Sequence, residues 1–267
     1  MAVRISIGRY YSADSPIHRL DPRLKLIAGV VYMVSCLFVT NIPSLALAAA
    51  LVVAATALAR VPLGRVLVQI RPVTHFLVIT SLFNLFFVHT GEALVTVGPV
   101  AFTTGGVSSA VFYTLRFLLL LLMGSLLMLT TQPMAITDAV ERLFAPLERL
   151  GVPVSQATLI LSIALRFVPV LSQDAQNIVV AQTARGAQLE GKGALSYARA
   201  CVPLLVPLFA SAVRHADNLG RAMDARCYTG GPERTHYHVM RFARRDAVAA
   251  TVLALYLVAL AAASVFA

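Results

Sequence analysis

Apolar residues fill the first 130 positions in long blocks separated by short polar seams. A bilayer crossing takes about 20 mostly apolar residues, with a range of about 17–25. Four blocks approach or reach that length, at 24–40, 43–59, 73–88 and 107–130, and a fifth, 246–267, closes the chain. The first three are short, which leaves them little room to tilt. Within 92–106 the sequence "EALVTVGPVAFTTGG" sets β-branched residues on both sides of Gly98-Pro99. Two readings stay open there, a small hairpin on the outer face and an irregular loop.

Past residue 131 the pattern changes. Ile136, Ala139, Val140, Leu143, Phe144, Leu147 and Leu150 recur at helical spacing, with Thr137, Asp138, Glu141, Arg142, Glu148 and Arg149 between them. That pattern predicts an amphipathic helix lying in the interface, kinked at Pro146 because proline lacks an N–H and crowds the preceding turn. Two longer helices follow. The first begins after Pro153 with Ser155 as its N-cap and runs to about residue 188, with a sparse polar stripe at Thr158, Ser162, Arg166, Gln173 and Asn177. The second covers about 194–228; Arg214, Asp217, Asn218, Arg221 and Asp224 line one face of its later half. Its earlier half carries Pro203 and Pro207, where a kink is expected. Both helices are apolar early and too polar late to be spans.

Composition agrees with a lipid-solvated chain. Hydrophobic residues make up 58% and charged residues 13%, with a mean hydropathy of +0.80. Ordinary soluble domains hold about 45–50% apolar and about 25% charged residues. The fold class expected is an all-α integral membrane protein with about five transmembrane helices plus an amphipathic helix and two long helices after residue 131. The expected division is a membrane domain at 1–130, a three-helix domain at 131–245 and a fifth span at 246–267.

A net charge of +10 invites a nucleic-acid reading, and the placement of the charges weakens it. Of the 22 Lys and Arg, Arg4, Arg9, Arg19, Arg23 and Lys25 stand at the approach to span one. Arg60, Arg65 and Arg71 lie between spans two and three, Arg116 is inside span four, and thirteen fall within 131–245. The seams after spans one and three hold none. This is the positive-inside pattern; it predicts a cytoplasmic N-terminus and 131–245 segment, an external C-terminus and five crossings. Positive charge here records topology, and no nucleic-acid partner is expected. No cleavable leader is evident, so span one is expected to stay as an anchor.

Candidate chemistry is sparse. Cys36, Cys201 and Cys227 form no metal or disulfide pattern. His236 and His238 lack a third ligand of clear geometry for a metal site. No Walker A motif is present. The spans hold no Asp or Glu beyond the boundary residue Asp246, and His75 is their one interior histidine, which disfavours a membrane hydrolase. Paired repeats with broken helices, expected of a self-sufficient secondary transporter, are not found. A polytopic scaffold without transport remains an alternative. No cofactor is expected.

Two arginines draw attention. "AQTARGAQ" (181–188) and "AMDARCYTG" (222–230) both carry A-x-x-A-R followed by a small residue. Arg185 and Arg226 each fall at a helix C-terminus, where a cation is favoured by the macrodipole by about 0.3–1 kcal/mol. Helix capping alone accounts for that placement. The small neighbours Ala184, Gly186, Ala225 and Cys227 also let a partner surface approach a guanidinium suited to bidentate pairing with carboxylate.

The motifs "SPIHRLDPRLKL", "RPVTHFLVITSLFNLFF", "IALRFVPVL", "AQTARGAQ" and "AMDARCYTG" occur in that order. Together they resemble the transmembrane T component of energy-coupling factor (ECF) transporters, prokaryotic importers of vitamins and transition-metal ions. The resemblance covers nearly the whole chain. It implies a multi-pass protein of the prokaryotic plasma (inner) membrane, without catalytic activity of its own. Its two coupling helices would dock onto two ATP-hydrolysing subunits through Ala184-Arg185-Gly186 and Ala225-Arg226-Cys227. A membrane-embedded substrate-binding S component would be the other partner. Cys227 departs from the family's usual glycine, which puts the end of that helix in question. Asp21 and Arg23, at the approach to span one, fit an interfacial cap and anchor. Arg166, with Phe167 and Pro169, either pairs with an acidic neighbour to set the first coupling helix or snorkels.

Overall fold

The computed structural model describes residues 10–87, 93–97, 100–187, 194–230 and 242–266. In chain order the helices are α1 (Pro22–Leu37), α2 (Ile42–Ala59), α3 (Leu63–Phe87), α4 (Thr104–Thr130), α5 (Pro133–Phe144), α6 (Val154–Ala184), α7 (Ala194–Asp224) and α8 (Arg244–Phe266). Strands β1 (Ala93–Val97) and β2 (Val100–Thr103) pair antiparallel between α3 and α4, with Val97 opposite Val100 and an irregularity between Ala93 and Val95. The hairpin reading of that segment is therefore the one the fold adopts, although Gly98 and Pro99 lie outside the described residues. The protein is an all-α integral membrane protein apart from this ribbon.

Five of these helices are long and apolar enough to cross a membrane: α2, α3, α4, α6 and α8. The number agrees with the sequence reading and the membership differs. Helix α1 ends at Leu37, because Phe38 begins the turn into α2. Its 16 residues reach about 24 Å, short of a hydrocarbon core of about 30 Å. Helix α6 qualifies because its polar stripe is too sparse to lower its mean hydropathy.

The chain divides into two compact units, one formed by Arg9–Ala139 with Met240–Ala267 and the other within Val140–Val239. In the first, Tyr32, Cys36, Val39, Leu45, Ala48, Val52, Leu119, Tyr256 and Leu260 make one core. Hydrogen bonds thread it: Tyr32 Oη donates to the Ala48 carbonyl (3.1 Å) and Ser35 Oγ to the Tyr32 carbonyl (2.7 Å). Ser35 Oγ also meets Tyr256 Oη at 3.0 Å. Polar groups that would be costly in lipid are thus satisfied between α1, α2 and α8. Ala59, Val61, Val66, Ile70, Leu77, Leu126 and Leu129 form a second core among α2, α3 and α4.

One end of this unit is tied by ionic groups. Asp21 is the N-cap of α1, its carboxylate accepting from the Arg23 N–H, with Pro22 in the first turn. Buried Asp246 accepts from the backbone N–H groups of Asp21 and Ala243, both at 2.8 Å. Buried Lys25 donates to the carbonyls of His18 (3.0 Å) and Thr130 (3.1 Å), placing a cation at the C-terminus of α4. Arg116 donates to the Leu37 carbonyl at the C-terminal end of α1. The costly intramembrane cation of the sequence is a cap on a neighbouring helix.

In the second unit the expected kink at Pro146 is a change of helix type. Helix α5 stops at Phe144, and Ala145–Leu150 continue as a 3-10 helix with Pro146 in its first turn. Proline is tolerated there because first-turn N–H groups have no intrahelical acceptor. Ser155 does not cap α6: Pro153 holds the N-cap position, and the Ser155 N–H donates to Glu148 Oε1 at 2.8 Å. A carboxylate from the preceding turn satisfies an orphan donor. Pro169 lies inside α6, and Pro203 and Pro207 inside α7.

Candidate functional site

The two arginine motifs end their helices by the same hydrogen-bond pattern. At α6, Arg185 is the C-cap and Gly186 adopts a left-handed conformation with φ 85°. The Gly186 N–H donates to the Thr183 carbonyl (3.0 Å) and the Ala187 N–H to that of Gln182 (3.0 Å). At the end of α7, Cys227 is left-handed with φ 54°. Its N–H donates to the Asp224 carbonyl (2.9 Å) and the Tyr228 N–H to that of Met223 (3.1 Å). Each is a Schellman motif, with one residue in the left-handed region closing a six-to-one and a five-to-two bond. Arg185 and Arg226 thus occupy one and the same position of one motif. Cysteine takes the conformation that glycine takes more cheaply, so the departure at Cys227 does not displace the helix end. Ala184, Arg185, Gly186, Ala225, Arg226 and Cys227 are all exposed. Among the described residues neither guanidinium forms an ion pair.

Helices α6 and α7 pack together, and one polar contact fixes their register. Asp174 Oδ2 accepts from Ser211 Oγ at 2.7 Å and pairs with His215 Nε2 at 2.9 Å. The Phe167 ring lies 5.8 Å from that of His215. Arg185 follows Asp174 by eleven residues, and Arg226 follows His215 by eleven. Each tip therefore stands about 16 Å along its own helix from a shared contact. Asp174, Ser211 and His215 were not singled out by sequence; their one signal is that both 174/215 and 185/226 keep the same offset.

The other sequence candidates fall elsewhere. Arg166 and Pro169 are exposed on α6, and Arg166 has no ion pair among the described residues. Asp21 and Arg23 belong to the α1 cap, where the Arg23 guanidinium also lies 5.4 Å from the Phe242 ring. His18 is held between Ser15 Oγ at Nδ1 (2.6 Å) and the Tyr11 carbonyl at Nε2 (2.9 Å). That pairing selects the neutral tautomer with its proton on Nε2, and burial pushes the imidazole below its usual range. His236 and His238 lie outside the described residues. No group of three potential metal ligands occurs among the described residues.

The described residues thus form a polytopic helical membrane protein with two matched cationic helix tips. The family described as CbiQ, cobalt transport protein, matches residues 13–237. The energy-coupling factor transporter transmembrane protein EcfT of Thermosediminibacter oceani is 38% identical over 245 residues, covering 92% of each chain. That of Bacillus subtilis is 37% identical over 240 residues, 90% of this chain and 91% of the relative. A putative ABC transporter ATP-binding protein of Bifidobacterium longum is 42% identical over 251 residues, 94% of this chain; the match spans 32% of that longer protein. The chain belongs to the CbiQ family and is the transmembrane component of an energy-coupling factor transporter.

Proposed function

We propose that this chain carries ATP-driven motion from two cytoplasmic ATPase subunits to a separate membrane-embedded S component, for uptake of a vitamin or a transition-metal ion. The observation that carries the reading is the repeated cap: Arg185 and Arg226 hold identical positions in identical motifs, on helices joined at Asp174 and His215. Two ATPase protomers need two equivalent handles. In each, a guanidinium flanked by small residues enters a carboxylate-bearing groove on one protomer. The Bifidobacterium relative supports the partnership, because a protein named for ATP binding contains a region similar to nearly all of this chain.

In this reading α1, α2, α3, α4 and α8 cross a prokaryotic inner membrane with the N-terminus inside, residues 38–40 after α1 completing the crossing that its 16 residues leave short, and α6 does not cross. Were α6 a span, the ten Lys and Arg from Arg185 to Arg245 would lie outside, against the positive-inside rule. Its apolar length instead serves protein contacts and the interface. The chain contributes no catalysis, since it has no phosphate-binding loop of its own. Affinity purification of the tagged chain from its native host, with mass spectrometry of the eluate, tests the proposal. ATPase subunits in twofold excess over the chain, with a small polytopic membrane protein, are expected; recovery of the chain alone would contradict it.

A further inference from the structure

At one end of the membrane unit, Asp14, Ser15, Pro16, Arg19, Arg60 and Arg245 line an open cavity of about 290 Å³. Among the described residues, three guanidiniums share it with one carboxylate. That carboxylate is already engaged, because Arg19 grips Asp14 with two hydrogen bonds of 2.7 and 2.5 Å. Arg19 holds Asp14 below the usual carboxylate range, so the acid stays ionised and the pair stays neutral. Arg60 reaches only the Asp14 backbone carbonyl, at 3.5 Å. Among the described residues neither Arg60 nor Arg245 forms an ion pair. The cavity therefore carries two uncompensated positive charges.

Its depth is set by the chain. Arg60 is the residue directly after α2, whose 18 residues are uncharged and apolar apart from Ser44 and Thr56. Arg245 stands in the first turn of α8, separated from its apolar run by Asp246 alone. Helices α2 and α8 pack against each other, so both guanidiniums sit where two spans leave the hydrocarbon. Arg60 also takes a left-handed backbone conformation, φ 53°, in which glycine would be cheaper. The chain keeps a long cation at that corner despite the strain.

We propose that this cavity binds the phosphate of an anionic phospholipid headgroup. Paired guanidiniums offer the planar forks that match phosphate oxygens. Basic pockets between membrane helices at the cytoplasmic boundary recognise such headgroups, and lipid is the phosphate source present at that depth. The volume, at the low end of ligand pockets of about 300–1,000 Å³, admits a headgroup while the acyl chains remain outside.

The test uses the full chain in mild detergent, with native mass spectrometry reading retained lipid. Phosphatidylglycerol and phosphatidylcholine are offered together, and inorganic phosphate is offered as competitor. Wild type is expected to retain phosphatidylglycerol preferentially and to keep it in the presence of inorganic phosphate. Arg60→Gln with Arg245→Gln leaves the Arg19–Asp14 pair intact and is expected to weaken retention by about fivefold per charge, on the order of 25-fold together. Arg60→Lys with Arg245→Lys, which keeps the charge and loses the fork, should fall between wild type and the Gln variant. Should the Gln variant aggregate, wild-type retention against rising salt supplies the same test, with loss expected as screening increases. Equal retention of both lipids, undiminished retention by the Gln variant, or indifference to salt would overturn the proposal. Displacement by inorganic phosphate would overturn it too, by making the cavity a soluble-anion site.

Discussion

Arg185 and Arg226 stand equally far beyond one contact, eleven residues past Asp174 and eleven past His215, and each closes its helix as the C-cap of a Schellman motif. In the proposed docking, two levers of equal length from a common crossing would serve a pair of equivalent partners. The equality comes from the 3.6-residue helix itself: equal residue counts give equal reach and equal rotation.

The caps differ in cost. Gly186 takes its left-handed conformation without penalty, and a methyl there would meet open space, so Gly186→Ala tests backbone strain alone. It should destabilise the end of α6 by about 1 kcal/mol. Cys227→Gly should do the reverse at α7, stabilising by a similar amount without shifting the helix end. Thermal unfolding of both variants reads the opposite signs; the same sign for both would contradict the shared motif.

The contact between α6 and α7 depends on one carboxylate with two donors. Asp174→Ala should lower the thermal midpoint, because Ser211 and His215 both lose their acceptor. Adding His215→Ala should cost little more, since neighbours sharing one network are not additive. Fully additive losses would show that the two side chains do not act together.

Asp246 ties the starts of α1 and α8 through two backbone N–H groups while only 4% exposed. Asp246→Ala should cost about 1–3 kcal/mol for each N–H left without an acceptor. Asp246→Asn, which keeps one acceptor oxygen, should cost less. Equal midpoints for wild type and Asp246→Ala would remove the tie.

Much of this was legible along the chain. Spans announce themselves by apolar length, so α2, α3, α4 and α8 were readable to within a few residues at most ends, although α3 starts ten residues before its apolar window because Pro72 sits inside it. Helix α6 was readable as a helix from after Pro153 to about residue 188, but not as one apolar enough to cross a membrane, because a helix apolar enough for lipid and one apolar enough for protein contacts have the same composition. The arginine tips were visible as a repeated motif at two helix C-termini, but the Schellman geometry they share was not, because left-handed cysteine is uncommon. The Asp174–His215 and Asp21–Asp246 contacts join residues 41 and 225 apart. No local pattern announces which faces of two helices meet.

Topology decides whether the tips lie inside. Cys227 is exposed at the second tip, and Thr104 is exposed at the start of α4 beside the hairpin. In intact cells, a membrane-impermeant maleimide should label Thr104→Cys and should reach Cys227 only after permeabilisation. Labelling of Cys227 from outside would contradict the five-crossing arrangement.

The central claim is that both arginines are handles for ATPase subunits, and quantitative pull-down of those subunits tests it most directly. Losing one partner of a buried charged hydrogen bond costs about 2–5 kcal/mol. Arg185→Glu or Arg226→Glu alone should therefore weaken recovery by on the order of tenfold or more. The double variant should release the ATPases and abolish uptake while the protein stays inserted. Lysine at either position should rescue poorly, because a point charge does not reproduce the guanidinium fork. Arginines that only cap their helices would contribute about 0.3–1 kcal/mol each to helix stability and nothing to binding. Undiminished ATPase recovery by the double variant would contradict the account.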